Sequence, residues 1–232
     1  MSQDSLQSLA NKWDALDKKI VLKQVEDIDE AVEEIDYLNA ELKKLYYKSG
    51  GKNVKRNDWV FPLKNWTSIS HRQNGNDYIE EKFDYFDGSN TIGHPAHDIM
   101  ILDNDKDLLD DSTGKPVDIV SMSSGIVVAT DTTWKIGSLL RGGKYVKIYD
   151  VTNDKMIYYS HLSTVNVKPG DIINAGDKIG EVGRTGRKTI LPEGKTHLHV
   201  ALLYFDDGYP MPEPIIKDIF STKEKFLKEN AR

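Results

Sequence analysis

Apolar residues follow a helical period through the N-terminal part of the chain. The first stripe places apolar side chains three and four residues apart, at Leu6, Leu9, Trp13, Leu16 and Ile20. After a one-residue phase shift the stripe resumes, at Val21, Val25, Ile28, Val32, Ile35 and Leu42. This pattern predicts an amphipathic helix over residues 4–48, either as one long helix or as a helical hairpin that breaks near the phase shift. Its apolar side needs a partner in the hairpin, in the rest of the chain or in a second copy.

The remaining chain alternates short apolar runs with turn residues, which is typical of an antiparallel sheet or sandwich. The runs that predict strands are residues 58–63, 99–102, 117–122, 125–129, 145–149, 156–159 and 197–205. A helical period returns at residues 215–229. We therefore expect a mainly β fold with an N-terminal helical segment over residues 1–50, a β-rich domain over 51–213 and a C-terminal helix over 214–232.

Histidines mark the candidate chemistry. His197 and His199 stand two apart in an apolar, β-branched segment, and side chains two apart in a strand point to the same face. Two imidazoles on one rigid surface can begin a metal site, or can set a metal ligand beside a proton-transfer group. Upstream, His94 and Asp98 lie in a Pro-containing turn before an apolar run, and His161 ends another predicted strand. Each of them alone is weak, but together they supply one carboxylate and four imidazoles.

Composition narrows the classes of function. The 232-residue chain has a net charge of −6, so it lacks the basic surface that nucleic-acid binding requires. It has no cysteine, so any metal must be held by His and carboxylate groups. No apolar run approaches the length that spans a bilayer. We therefore expect neither a nucleic-acid partner nor stable membrane insertion.

Two further features are expected to be structural. Asp103, Asp105 and Asp107 have the spacing that begins a calcium loop, but Leu108 and Gly114 occupy the positions of its Gly and Glu. A solvated acidic loop is therefore the preferred interpretation, and a second metal at residues 103–111 is left open. His71 lies in a polar segment and is expected at the surface.

The histidine-containing motifs resemble those of the lysostaphin-like (LytM-type) zinc metallopeptidases, which cut peptides in bacterial cell walls. The resemblance covers about residues 90–205. It rests on the order and spacing of these motifs: His94-x-x-x-Asp98, Gly125-Ile-Val-Val, Tyr159-Ser-His-Leu, Val167-Lys-Pro-Gly-Asp through Gly180, Gly183-Arg-Thr-Gly and His197-Leu-His199.

This resemblance implies a zinc endopeptidase with one Zn²⁺ per chain, held by His94, Asp98 and His199, with a water as the remaining ligand. His197 and His161 would form the catalytic pair. His197 would take the proton of the water and return it to the leaving amine. His161 would orient the water or stabilise the developing oxyanion. The substrate-binding residues are not identified.

The chain departs from the family pattern at a few positions. Ala96 stands where a Gly is usual, Thr196 stands where a Pro is usual, and the acidic stretch from 103 to 111 is longer than the family needs. His97, beside Asp98, makes an alternative ligand set conceivable. None of these departures removes a ligand or a catalytic group, which argues against a metal-free relative that activates other hydrolases.

The expected substrate is a peptide bond in peptidoglycan stems or cross-links. The alternative is a non-catalytic cell-wall-binding or hydrolase-activating protein on the same scaffold. A carrier domain for biotin or lipoate is disfavoured because no hairpin tip shows the expected lysine context. The N-terminus lacks the basic and apolar regions of a signal peptide, so a wall substrate implies a mature periplasmic or extracellular form. The N-terminal helix is expected to pack over the groove or to mediate self-association.

Overall fold

The N-terminal segment forms a helical hairpin in the computed structural model, which describes residues 3–70 and 78–231. Helix α1 runs over Gln3–Val21 and helix α2 over Ile28–Lys48. The break falls directly after the one-residue phase shift, so the hairpin rather than one long helix is correct. The Asp27 side chain caps α2 by accepting the N–H of Glu30 at 3.1 Å.

In the described part of the chain, eleven strands follow the hairpin and form two antiparallel sheets. The strands are β1 Ser68–Ile69, β2 His97–Met100, β3 Asp118–Val120, β4 Gly125–Asp131, β5 Lys144–Asp150, β6 Lys155–Leu162, β7 Thr164–Val165, β8 Ile172–Ile173, β9 Lys178–Glu181, β10 His197–Asp206 and β11 Tyr209–Glu213. The larger sheet has the order β1-β2-β10-β6-β5-β4-β8, and β11 pairs with the end of β10. The smaller sheet has the order β3-β9-β7. The predicted antiparallel fold is confirmed.

Alternation along the strands gives the larger sheet two different faces. In β10, Leu198, Val200 and Leu202 join a core that also contains residues of the smaller sheet. On the opposite face Leu203 joins a second core, together with Trp13 of the hairpin. His197 and His199 have the same parity as Leu203. The candidate site and the helical hairpin therefore share one face of the sheet.

The C-terminal helix, α3, covers Ile216–Asn230 as predicted, and it buries Ile219 against the first core. The predicted strand at 58–63 is wrong. Its first residue ends a 3₁₀ turn at Arg56–Asp58, and its backbone makes scattered contacts beside β3: a hydrogen bond from Val60 to Met122, one from Val120 to Pro62 and an isolated bridge between Leu63 and Ile119. Pro62 lacks an N–H for a ladder, which explains why the apolar run packs its side chains without becoming a strand.

Three expectations are left without a structural test. His71 lies outside the described residues. The boundaries 1–50, 51–213 and 214–232 stay a prediction, as does self-association through the N-terminal segment. Among the helices in the described part of the chain, none has the length and apolar character needed to cross a membrane.

Candidate metal and catalytic site

Asp98 and His199 are brought together by the pairing of β2 with β10. They lie directly opposite each other in the antiparallel register. The Nδ1 atom of His199 lies 3.0 Å from Oδ1 of Asp98. Cross-strand neighbours on one face of a sheet are held close by the ladder itself, so this contact needs no flexible loop.

His94 reaches the same carboxylate from the segment that precedes β2. Its backbone forms an isolated antiparallel bridge with Ile79, with N–H to O distances of 2.7 and 2.9 Å. The Nε2 atom of His94 lies 3.3 Å from Oδ1 of Asp98. One donor atom each from His94, Asp98 and His199 lies within 4.8 Å of the others, so the three side chains could hold one metal ion together.

The protonation of this cluster suits a cation. Burial raises the pKa of Asp98, but hydrogen bonds from His199 and His94 outweigh it, and the pKa is lowered well below its usual range. Burial lowers the pKa of His199, although the Asp98 carboxylate opposes that shift. The cluster therefore presents an ionised carboxylate and a neutral imidazole, the forms in which these side chains bind metals.

His197 lies two residues before His199 and on the same face of β10. Its Nδ1 atom is 2.7 Å from the backbone oxygen of Lys195. Because a carbonyl oxygen only accepts, Nδ1 carries the proton in this contact and Nε2 is left as the basic nitrogen. That Nε2 atom lies 3.6 Å from Oδ2 of Asp98, so the basic nitrogen faces the metal cluster, by which we mean the three potential ligands His94, Asp98 and His199.

His161 reaches the site through a β-bulge. Tyr145 pairs with Ser160 and Lys144 pairs with Leu162, so His161 is an extra residue on β6. Its φ of 66° lies in the left-handed region, which is strained for a residue with a Cβ. Strict alternation would send His161 to the face opposite Ser160. The bulge lets both residues line the same cavity.

Hydrogen bonds fix the orientation of the His161 ring. Its Nδ1 atom lies 2.7 Å from the backbone oxygen of Thr185, and the Thr189 hydroxyl lies 3.3 Å from Nε2. The His161 and His197 rings are 4.8 Å apart between centroids. Burial, followed by the neighbouring His197, lowers the pKa of His161 well below its usual range. Its imidazole is therefore neutral at neutral pH.

Gly186 provides the space for this ring. It has a φ of 118°, and a Cβ built there would lie 2.8 Å from Nδ1 of His161. A side chain at this position would combine backbone strain with a clash against the imidazole.

The alternative ligand His97 points away from the cluster. It is adjacent to Asp98 in β2, so alternation sends its side chain to the other face of the strand. There it is buried and its ring stacks on Tyr78, with centroids 6.0 Å apart. Of the described residues, the group that could hold a metal at this place contains His94, Asp98 and His199 but not His97.

Asp103, Asp105 and Asp111 form a second group of neighbouring carboxylates. Their oxygens accept backbone N–H groups of their own loop, from Asn104, Asp107 and Leu108. Such contacts are typical of an acidic turn. A second metal there stays an untested expectation.

Sequence reasoning missed several residues that surround the cluster. Arg141 donates to the backbone oxygens of Thr91 at 2.6 Å and of Gly93 at 2.8 Å, directly before His94. The Tyr158 ring lies 5.9 Å from the His199 ring, edge to face. An arginine in a Gly-containing loop carries no sequence signal for this role. Tyr158 gave no usable signal either, because strict alternation from His161 would place it on the opposite face of the strand.

The donor set suits zinc. Two imidazole nitrogens and one carboxylate oxygen match the three protein ligands of catalytic zinc sites, which leave a further position open for water. His161 and His197 line the same cavity as these three ligands. The Nδ1 atom of each ring is hydrogen-bonded to a backbone carbonyl oxygen. The site thus combines three potential metal ligands with the unprotonated Nε2 atoms of His161 and His197.

Residues 109–210 match the family model described as peptidase family M23. The match includes His161, His197 and His199, whereas His94 and Asp98 precede it. No curated protein matches the chain.

Solved structures with a similar fold include a zinc-containing peptidase from Vibrio cholerae, at 20% identity and a TM-score of 0.43, covering 70% of this chain and 39% of that one. The antimicrobial peptidase lysostaphin from Staphylococcus simulans has 24% identity and a TM-score of 0.40, covering 56% of this chain and 45% of that one. The lysostaphin catalytic domain has 18% identity and a TM-score of 0.40, covering 73% and 98%. The chain thus spans less than half the length of the first two proteins.

Proposed function

We propose that this chain is a zinc-dependent endopeptidase of bacterial peptidoglycan, and the match of residues 109–210 to the model of peptidase family M23 supports this proposal. The observation that carries the proposal is the convergence of His94, Asp98 and His199 beside His161 and His197 on one face of the sheet. His94, Asp98 and His199 would hold one zinc ion. Bound zinc lowers the pKa of a coordinated water toward neutrality and polarises the scissile carbonyl.

The two further histidines would move the protons. His197 has its basic Nε2 directed at the cluster, so it would take the proton of the attacking water and later give it to the leaving amine. His161 would orient the attacking water by accepting its hydrogen bond at Nε2, since its Nδ1 donates to the oxygen of Thr185. A role at the developing oxyanion would require a proton on that Nε2. The carbonyls of Lys195 and Thr185 keep both rings in these orientations and tautomers.

A peptidoglycan substrate agrees with the family and with the composition of the chain. The net charge of −6 provides no basic surface for a polyanion, whereas a groove over a sheet suits an extended peptide. We infer that the substrate is the stem or cross-link peptide of the wall. The protein would act in the periplasm or outside the cell, where that substrate is found.

The test begins with bound metal. We expect elemental analysis to find one zinc per chain in the parent and much less in His199→Ala, while His197→Ala keeps its zinc and loses peptide release from purified peptidoglycan. His97→Ala is the matched control, because that ring lies on the opposite face of β2. Loss of zinc in His97→Ala but not in His199→Ala would favour the alternative ligand set. Full zinc with no released peptide would favour the non-catalytic binding protein.

A further inference from the structure

The cavity over the metal cluster continues along the sheet toward the helical hairpin. It has a volume of about 320 Å³. The metal and catalytic histidines line one end, and residues of the hairpin and of the segment before β2 line the other. The apolar and aromatic lining toward that end is Ile20, Val21, Phe83, Tyr85, Tyr158, Ala201 and Leu203, and the same cavity also has Ser89, Thr91 and Lys147 among its polar lining residues.

The floor of this second end is the continuation of the catalytic strand. Side chains at positions 197, 199, 201 and 203 of β10 share one face, so Ala201 and Leu203 extend the row that His197 and His199 begin. Ala201 has the smallest side chain of this row. Its methyl group leaves space next to His199 that a larger side chain would fill.

The wall of this end comes from outside the matched region. Ile20 and Val21 form the C-terminal end of α1, and the Tyr85–Asn90 turn packs against them so closely that a Cβ on Gly88 would lie 2.2 Å from the oxygen of Ile20. Lys23 adds an ion pair with Asp87 at 2.5 Å. The hairpin is therefore a fixed wall of the cavity.

Two cations that border the cavity are already engaged. Lys147 forms a buried ion pair with Asp17, and its Nζ lies over the rings of Tyr85 and Tyr158. Arg141 is bound to the carbonyl oxygens that precede His94. Asp17 compensates the charge of Lys147, and the carbonyl oxygens occupy N–H donors of Arg141, so the apolar side chains of this end favour an uncharged occupant.

We propose that this end is a specificity pocket for an apolar side chain on the substrate residue next to the scissile bond. The inference rests on the proposed function and adds the class of side chain that the enzyme selects. Because Ile20, Val21 and Tyr85 belong to the hairpin and the segment before β2, this selectivity is supplied by the part of the chain outside the matched family region. Each buried methylene group contributes about a fourfold gain in affinity.

Binding and cleavage of a peptide series test the pocket. Mass spectrometry of peptidoglycan digests first locates the scissile bond. Synthetic peptides then carry glycine, alanine or leucine on either side of that bond. We measure their affinity by calorimetry with the zinc-loaded His197→Ala variant, and kcat/KM with the parent. At one of the two positions, we expect alanine to exceed glycine about fourfold and leucine to exceed it at least tenfold.

Two narrowing variants locate the effect. Ala201→Leu fills the floor of this end, and Val21→Phe enlarges a partly buried side chain in its wall. Each should abolish the preference for leucine over glycine in the measured affinities. Ala40→Leu makes the same chemical change at an exposed position of α2 and should keep the preference of the parent.

The outcomes separate the pocket from the activity. Equal affinity for the glycine and leucine peptides at both positions overturns the pocket, whether or not the parent cleaves them. If peptidoglycan is not cleaved, calorimetry uses the same residue pairs in tripeptides, and a leucine preference that Val21→Phe removes supports the pocket while the proposed hydrolysis fails. A preference retained in both narrowing variants also overturns it.

Discussion

Removal of the Asp17 carboxylate should destabilise the protein severely, because this group holds a buried lysine. Asp17 is 0% exposed and Lys147 is 4% exposed. The same carboxylate accepts the Tyr85 hydroxyl at 3.1 Å and the Tyr145 hydroxyl at 2.7 Å. In Asp17→Ala the ammonium group and both hydroxyls lose this acceptor, while the surrounding rings still keep water away.

The expected magnitude follows from the burial. Breaking a buried pair by removing one partner costs about 3–5 kcal/mol, because the other charge stays desolvated. A typical domain has a free energy of unfolding of about 5–15 kcal/mol, so this loss is a large share of it. With a urea dependence of about 2 kcal/mol per molar, the unfolding midpoint should fall by about 2 M.

Urea unfolding followed by circular dichroism measures this loss. The double variant Asp17→Leu with Lys147→Met removes both charges and keeps apolar volume, so it should recover at least about 2 kcal/mol of the loss. Asp36→Ala, at an exposed position of α2, is the matched control and should change stability by less than about 0.5 kcal/mol. A loss below about 1 kcal/mol in Asp17→Ala would show that Lys147 does not depend on this partner, and would refute the reasoning.

The remaining predictions concern a cap, a surface ion pair and the metal. Replacing Asp27 with Ala removes the acceptor for the Glu30 N–H, and should lower the free energy of unfolding in urea by about 1 kcal/mol. Burial raises the pKa of Glu213, but hydrogen bonds from Lys155 and Arg56 outweigh it and lower the pKa below its ordinary value of 4.5. This carboxylate therefore stabilises the fold above pH 4.5 and loses that contribution as the pH falls through its folded-state pKa, so Glu213→Gln should flatten the acid side of a stability–pH profile; an unchanged slope would contradict this. Chelation of zinc should abolish peptide release but leave the far-ultraviolet spectrum unchanged, because neither apolar core includes a donor of the metal cluster.

The periodicity of apolar residues was enough to predict most of the fold. The apolar stripe and its phase shift located the hairpin to within a few residues, since a helix that changes the side it buries must break or turn. The apolar run at 58–63 was wrongly predicted to be a strand, because a buried irregular segment can have the same apolar composition as a strand. Pro62 has no N–H to donate, so the segment makes only scattered backbone bonds beside β3 instead of a regular ladder.

The candidate site was predicted unevenly. Spacing of two in a strand was enough to place His197 and His199 on one face, and the β2–β10 register then brought Asp98 opposite His199. The direction of His161 could not be predicted, because it depends on a bulge that only the pairing with β5 reveals. The Asp17–Lys147 pair joins positions 130 residues apart, and no local pattern marks either residue as buried.

The pairing of β2 with β10 also has a consequence for the order of folding. Asp98 and His199 are separated by 101 positions, and β10 also pairs with β6. Closing such a long loop lowers the chain entropy, and only the hydrogen bonds and packing of the completed ladder offset this cost. Contacts of this kind therefore form slowly. We therefore expect the proposed zinc ligands to come together late, when β10 pairs with β2. Zinc uptake in a refolding experiment would then report the moment at which this pairing forms.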